Sequence, residues 1–183
     1  DITDCVGYYE QANDRDVDFA IESAQQAQKQ WANVSLEQKQ NILSSIGNKL
    51  MQKSDELGTL LSREEGKPKK EGVGEVFRAG QFFTYYAAQM LRQFGENTKS
   101  GRVGVDVVIY REPIVVVGII SPWNFPTATA VWKIAPALAY GNAVIWKPSN
   151  LVPASAVALT RIIAEENLPN GLFNLIMGAG NAI

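Results

Sequence analysis

Residues 114–120 read IVVVGII, seven positions without one polar side chain. A run of this kind is stable as a strand only where both of its faces are covered, because a half-exposed strand alternates apolar and polar residues. Two further runs follow, AVIW at 143–146 and GLFNLIM at 171–177. Between the first two lies TATAVWKIAPALAYGN, which predicts a helix ending at Gly141 despite Pro136. Between the last two, Pro153 opens a second helix through Ala156, Leu159, Ile162 and Ile163. Strand, helix, strand, helix, strand is the order of a doubly wound parallel α/β sheet. Ligands of such sheets sit at the carboxyl ends of the strands. The loops to read are therefore SPWNFP (121–126), KPSN (147–150) and MGAG (177–180).

Upstream, residues 13–96 carry four helical stripes. Val17, Ala20, Ile21, Ala24, Ala27 and Trp31 follow an Asp14 cap. SLEQ at 35–38 is a capping box before Ile42, Leu43, Ile46 and Leu50. A third helix carries Leu57, Leu60 and Leu61 and stops at Gly66 and Pro68, and a fourth runs from Val73 to Phe94. Such stripes are core faces of a helical layer. Val103, Val105, Val107 and Ile109 then alternate against Arg102, Gly104, Asp106 and Val108, which predicts a strand ended by Pro113.

Composition excludes several classes. The 183 residues carry 17 basic and 19 acidic side chains without a basic face, so nucleic acid is not an expected partner. No apolar run is long enough to cross a membrane and the start has no signal-peptide pattern, which places the protein in the cytoplasm. The single cysteine, Cys5, excludes an internal disulfide and fits a reducing compartment. The absence of histidine excludes a Ser-His-Asp triad, a Cys-His pair and the usual zinc sites within these residues, so no metal is expected. The lack of an initial Met and the open edge of a half sheet mark these residues as part of a longer protein.

Each loop admits two readings. Pro122 and Pro126 stiffen their loop, Trp123 and Phe125 exclude water, and Asn124 offers an amide donor in that dry setting. Such a donor suits a developing oxyanion; equally, Asn124 suits capping of the next helix. Lys147, at a strand's carboxyl end, reaches a ribose or phosphate, or is a solvated surface lysine. Gly178 and Gly180 open a G-x-G pattern whose third glycine would fall on Ile183, so they are turn glycines or places where a cofactor approaches the backbone.

Taken in order, PWNFP (122–126), WKIAPALAYGN (132–142), WKPSN (146–150) and LPNGLFNLIMGAG (168–180), with EEGKP (64–68), closely resemble the aldehyde dehydrogenase superfamily. The resemblance covers essentially the whole chain. It implies residues 1–98 as the helical part of a cofactor-binding domain, 99–113 as a β oligomerisation arm and 114–183 as the first half of a Rossmann-like sheet. The catalytic domain is absent from these residues. The implied reaction oxidises an aldehyde to a carboxylate through a thiohemiacetal on a cysteine, with hydride passing to NAD or NADP and a glutamate assisting hydrolysis. Asn124 then matches the oxyanion-hole amide. Phe125 and Trp132 match substrate-tunnel walls, and Lys133 a residue near the proton path of the general base. Lys147 matches the adenosine-ribose lysine. Ile119, Ile120, Ser121, Pro122, Trp123, Asn124, Ser149, Gly178 and Gly180 match cofactor contacts.

Two departures stand out. The family's catalytic cysteine and glutamate are absent here and Cys5 matches neither, so these residues alone are expected to be inactive. The position after KPS, commonly Glu in NAD-using members, is Asn150, which favours NADP with NAD still usable. The run also looks like members that oxidise semialdehydes, such as α-ketoglutaric semialdehyde. However, Thr127, Thr129 and Val131 on the following helix supply no cation for a substrate carboxylate. A homodimer or homotetramer is the implied assembly. The competing expectation is a dinucleotide-binding or structural module without chemistry of its own.

Overall fold

In the computed structural model, residues 3–92 and 95–179 are described. The chain begins with helices α1 (Asp14–Ala32), α2 (Leu36–Gln52), α3 (Ser54–Glu65) and α4 (Lys69–Gln89). The α1 cap is Asn13, one residue before the expected Asp14. Asn13 Oδ1 accepts from Arg15 N at 2.9 Å and Asn13 N donates to Asp16 Oδ2 at 2.8 Å. Asn13 wins because Asp16 stands three positions on and closes the reciprocal bond. Ser35 Oγ accepts from Gln38 N at 3.2 Å and starts α2 as the sequence predicts. Gly66, with φ of 89°, stops α3, and Pro68 fixes the start of α4. Helix α4 stops at Gln89 with Met90 as its cap, short of the expected Phe94, which itself lies outside the described residues.

Helix α4 crosses α2 and α3 at glycine pairs. A Cβ on Gly80 would stand 2.6 Å from the Gly47 carbonyl oxygen, and one on Gly72 would stand 2.5 Å from that of Gly58. The missing side chains let the backbones touch, and this draws α4 into the layer. Its buried stripe is Val76, Ala79, Phe83, Ala87 and Met90, while Phe77 and Leu91 of the expected stripe are exposed.

Strands β1 (Gly95–Lys99) and β2 (Asp106–Tyr110) form an antiparallel hairpin with Gly95 opposite Tyr110. The expected single strand at 102–112 is shorter, and it pairs with GENTK, a polar segment with no strand signal of its own. All ten paired residues are exposed on both faces. An isolated two-stranded hairpin is marginal in water, so this one needs a partner surface.

The parallel sheet follows the predicted order: β3 (Val116–Ile120), α5 (Ala128–Ala139), β4 (Ala143–Lys147), α6 (Pro153–Ala164) and β5 (Phe173–Leu175). The sheet order is β3-β4-β5, with β4 central. Pro136 lies within α5 without ending it. One core joins the helical layer to the sheet. Trp31, fully buried, donates Nε1–H to the Leu138 carbonyl at 2.9 Å, and Gln28 donates to the Gly141 carbonyl at 3.0 Å. Among the described residues no helix is long and apolar enough to cross a membrane. None of them form a group of metal-ligating side chains.

Candidate functional site

The carboxyl ends of β3 and β4 lie in register, Ile119 beside Trp146 and Ile120 beside Lys147. Alternation puts Ile119 and Trp146 on one face, both buried, and Gly118, Ile120 and Lys147 on the other. On that second face Ile120 is 74% exposed, and Pro122 and Trp123 beyond it are exposed too. The result is an open apolar shelf at the strand ends.

Ser121 does not face the shelf. It is 4% exposed, and its Oγ accepts the Trp146 Nε1–H at 2.9 Å while its N–H bonds to the Lys147 carbonyl at 3.2 Å. Its hydroxyl locks the exit of β3 to β4. Lys147 is half-buried and donates Nζ–H to the Pro148 carbonyl at 3.1 Å. Ser149 Oγ accepts from Leu151 N at 3.3 Å, and Asn150 is exposed. Beyond β5, Ile176 N donates to the Trp146 carbonyl at 2.8 Å, which brings the buried Gly178 toward the same sheet end. Gly180 lies outside the described residues.

The loop after β3 decides between the two readings of Asn124. The first N–H groups of α5, those of Thr127 and Ala128, donate to Glu75 Oε1 at 2.9 and 3.0 Å. Helix α5 is therefore capped by a carboxylate on α4, and capping by Asn124 is excluded. Asn124 is exposed, and its side-chain amide makes no hydrogen bond among the described residues. Its backbone carbonyl accepts from Lys67 Nζ at 2.9 Å. Phe125, 50% exposed, lies under the same ammonium, 4.3 Å from ring centroid to Nζ.

Two turns further along α5, Trp132 is half-exposed and meets Phe82 of α4 at 5.6 Å between ring centroids. Beside Phe82 is a cavity of about 520 Å³ lined by Arg78, Gln81 and Tyr85 as well. The Arg78 guanidinium donates to Gln81 Oε1 at 3.2 Å and sits 5.9 Å from the Phe82 ring centroid. No carboxylate among the described residues pairs with it. Lys133 is exposed and donates to the Thr129 carbonyl one turn back at 3.0 Å, toward the start of α5, where the Thr129 hydroxyl in turn donates to the Phe125 carbonyl at 2.6 Å.

Beneath the loop lies a buried charge cluster. Lys67 Nζ stands 2.7 Å from Glu75 Oε2 and 3.1 Å from Glu65 Oε2, and all three side chains are at most 10% exposed. Burial acts to lower the Lys67 pKa, but the hydrogen bonds and charges of Glu75 and Glu65 outweigh it and hold the ammonium above the usual lysine value. For Glu65 burial dominates. It raises the carboxyl pKa against the opposing pull of Lys67, and Oε2 lacks the alignment of a hydrogen bond. Glu64 next to it accepts from Ala154 N at 2.6 Å, Ser155 N at 2.9 Å and Ser155 Oγ at 2.6 Å, so it caps α6. The segment EEGKP thus helps brace the starts of both crossover helices.

The raised carboxyl pKa of Glu65 couples folding to pH. The folded state holds this proton more tightly than the unfolded chain does. Its contribution is full below the ordinary value of 4.5 and is lost as pH rises through the folded value. Glu65→Gln is therefore expected to melt higher than wild type at pH 8, with the gap closing toward pH 4. Thermal denaturation across that range checks it; a lower Tm at pH 8 would show that the Lys67 contact outweighs burial.

Lys67, Glu75 and Glu64 were not singled out by residue type or spacing. Their partners lie 52 to 91 positions away along the chain, apart from the contacts of Lys67 with Glu75 and Glu65. For Glu64 and Lys67 the local signals were the EEGKP motif of the resemblance and its Gly-Lys-Pro break between two helices, and neither named a partner.

The profile described as the aldehyde dehydrogenase family matches residues 3–183. The α-ketoglutarate semialdehyde dehydrogenase of Haloferax volcanii is 36% identical over 183 residues, 99% of this chain and 38% of that protein. An NADP-dependent enzyme of E. coli superposes with a TM-score of 0.94 at 31% identity, over 98% of this chain and 37% of its own. A betaine aldehyde dehydrogenase of Staphylococcus aureus, in complex with NAD+, superposes at 0.90 and 30% identity, over 95% and 35% respectively. This chain thus spans little more than a third of the length of these relatives.

Proposed function

The chain belongs to the aldehyde dehydrogenase family, and from that premise we propose that it is the cofactor-binding part of an enzyme that oxidises an aldehyde to a carboxylate with NAD or NADP. The observation that carries the reading is Asn124: an exposed side-chain amide without a hydrogen-bond partner among the described residues, on a loop whose backbone is anchored by Lys67.

The strand-end residues fit a dinucleotide. The shelf of Ile120, Pro122 and Trp123 suits a flat ring or ribose edge, and Lys147 brings a cation beside it. Lys147, Ser149 and Asn150 would hold the ribose of the adenosine half, while Ser121 shapes the strand exit from within. The nicotinamide, when bound, supplies the hydride acceptor. Asn124 donates its amide N–H to the oxygen that becomes negative when a thiolate adds to the aldehyde carbon. The loop's proline frame keeps the donor in place, so little reorganisation is needed as charge develops. Cys5, exposed in the N-terminal segment, is assigned no catalytic role. The nucleophile and the glutamate that activates water are assigned to residues outside these 183, and the 183 alone are proposed to be inactive.

The proposed substrate is an aldehyde that also bears a carboxylate, as the name of the Haloferax relative describes for that protein. The cation that Thr127, Thr129 and Val131 do not supply is found on α4. Arg78 lines the cavity beside Phe82 and Trp132, with Gln81 as a neutral hydrogen-bond partner. Arg78→Met is expected to raise KM for acidic semialdehydes about five- to tenfold and leave neutral aldehydes unchanged. A charge-assisted bond would give more, but exposure screens this one. Equal effects on both substrate sets would remove Arg78 from the binding role.

The exposed β1–β2 hairpin supports self-association, as a homodimer or homotetramer, through strand or face pairing. One exposed thiol suits a reducing compartment, the cytoplasm. NAD(P)H formation over a panel of aldehydes, using the full-length protein, tests the proposal. Failure on every aldehyde with the cofactor still bound would favour a dinucleotide-binding module instead.

A further inference from the structure

We propose that Lys67 and Glu75 are positioning residues for the Asn124 amide, which rests on the oxyanion role proposed above for Asn124. Lys67 has three N–H donors. They meet Glu75 Oε2 at 2.7 Å, the Asn124 carbonyl at 2.9 Å and Glu65 Oε2 in a less well aligned contact at 3.1 Å. Its backbone is fixed on both sides, by the left-handed turn at Gly66 and by Pro68 at the head of α4. The ammonium therefore leaves a rigid corner and reaches one backbone atom of the loop.

Glu75 completes the hold. One of its oxygens takes Lys67, and the other takes the N–H groups of Thr127 and Ala128. The segment from Asn124 to Ala128 is thus tied at its first carbonyl and at its last two amides to a single ion pair. That pair is buried, with side chains 10% and 2% exposed, so water does not compete for its bonds. Pro126 fixes φ between the two ties. A donor aimed at a developing charge loses effect with small displacement, and this arrangement limits where the Cα of Asn124 can go. Lys67 also packs on the Phe125 ring, so the same group orients the neighbouring tunnel wall.

A structural role alone would show in folding and not in turnover per folded molecule. The test uses the full-length enzyme and the double variant Lys67→Met/Glu75→Gln, in which the Gln oxygen still accepts from α5 and Glu65 loses its Lys67 contact. Active-site titration corrects kcat for the folded fraction. The expected result is a five- to tenfold fall in kcat, with KM for the dinucleotide within twofold of wild type. In an Asn124→Ala background the same pair of changes is expected to lower kcat by less than twofold, because the group being positioned is gone.

Unchanged kcat in the double variant, or equal losses with and without Asn124, would overturn the proposal. Should the double variant not fold, Glu75→Gln alone carries the test through a two- to threefold loss in kcat with Tm near wild type. Full activity of that variant would overturn it in the same way. The underlying reading fails differently: Asn124→Ala would then keep its kcat, whatever the Lys67 variants do.

Discussion

Asn124→Ala in the full-length enzyme is expected to lower kcat by roughly 10²- to 10³-fold, the usual loss for one oxyanion donor. KM for the cofactor should stay within about twofold of wild type. The split follows from when the bond forms. The aldehyde oxygen carries little charge before the thiolate adds and a full charge afterwards, so the amide stabilises the later state far more. The cost corresponds to about 2.7–4 kcal/mol of transition-state stabilisation. Stability should change little, because the side chain makes no hydrogen bond among the described residues and the capping of α5 belongs to Glu75. Asn124→Asp is the sharper variant, since it keeps the size but places an acceptor where a donor is needed. Steady-state kinetics with Tm alongside separates the outcomes. An unchanged kcat with a lowered Tm would mean that Asn124 serves the loop and not the reaction.

Asn150→Glu is expected to move the ratio of kcat/KM for NADP over NAD toward NAD by about tenfold or more. The wild type should accept NADP and prefer it, with NAD usable. A carboxylate at this position would accept bonds from the ribose hydroxyls of NAD and repel the 2′-phosphate of NADP. Two unit charges about 5 Å apart at an effective dielectric near 20 repel by roughly 3 kcal/mol. Asn150 is exposed, so solvent and salt reduce that figure, and about 1.4 kcal/mol suffices for a factor of ten. Lys147 strengthens the expectation, because among the described residues its Nζ donates only to the neighbouring Pro148 carbonyl, a bond it can exchange for a phosphate. The shift should shrink as ionic strength rises. A wild type that strongly favours NAD, with no response to the added Glu, would show that position 150 does not read the ribose.

Local pattern determined the part of this protein that depends on short-range physics. The apolar run at 143–146 became the mostly buried β4, as a covered strand requires, while only 116–120 of the run at 114–120 became β3, whose Gly118 and Ile120 are exposed in these residues. Gly66 and Pro68 placed the break between α3 and α4 because each restricts the backbone at its own position. The apolar shelf at the strand ends was legible for a related reason. Ile119, Ile120 and Lys147 lie at strand ends, and parallel register brings them together. Tertiary structure decided what long-range contact alone can decide. GENTK is a strand only because DVVIY lies beside it. Asn124 is relieved of capping only because α4, drawn close to α2 and α3 at Gly47, Gly58, Gly72 and Gly80, delivers Glu75 to the start of α5. Lys67 and Glu64 likewise find partners 57 and 90 or 91 positions away. A helix N-terminus offers its orphan N–H groups to whatever acceptor packing brings near, and no periodicity in the sequence records which one that will be.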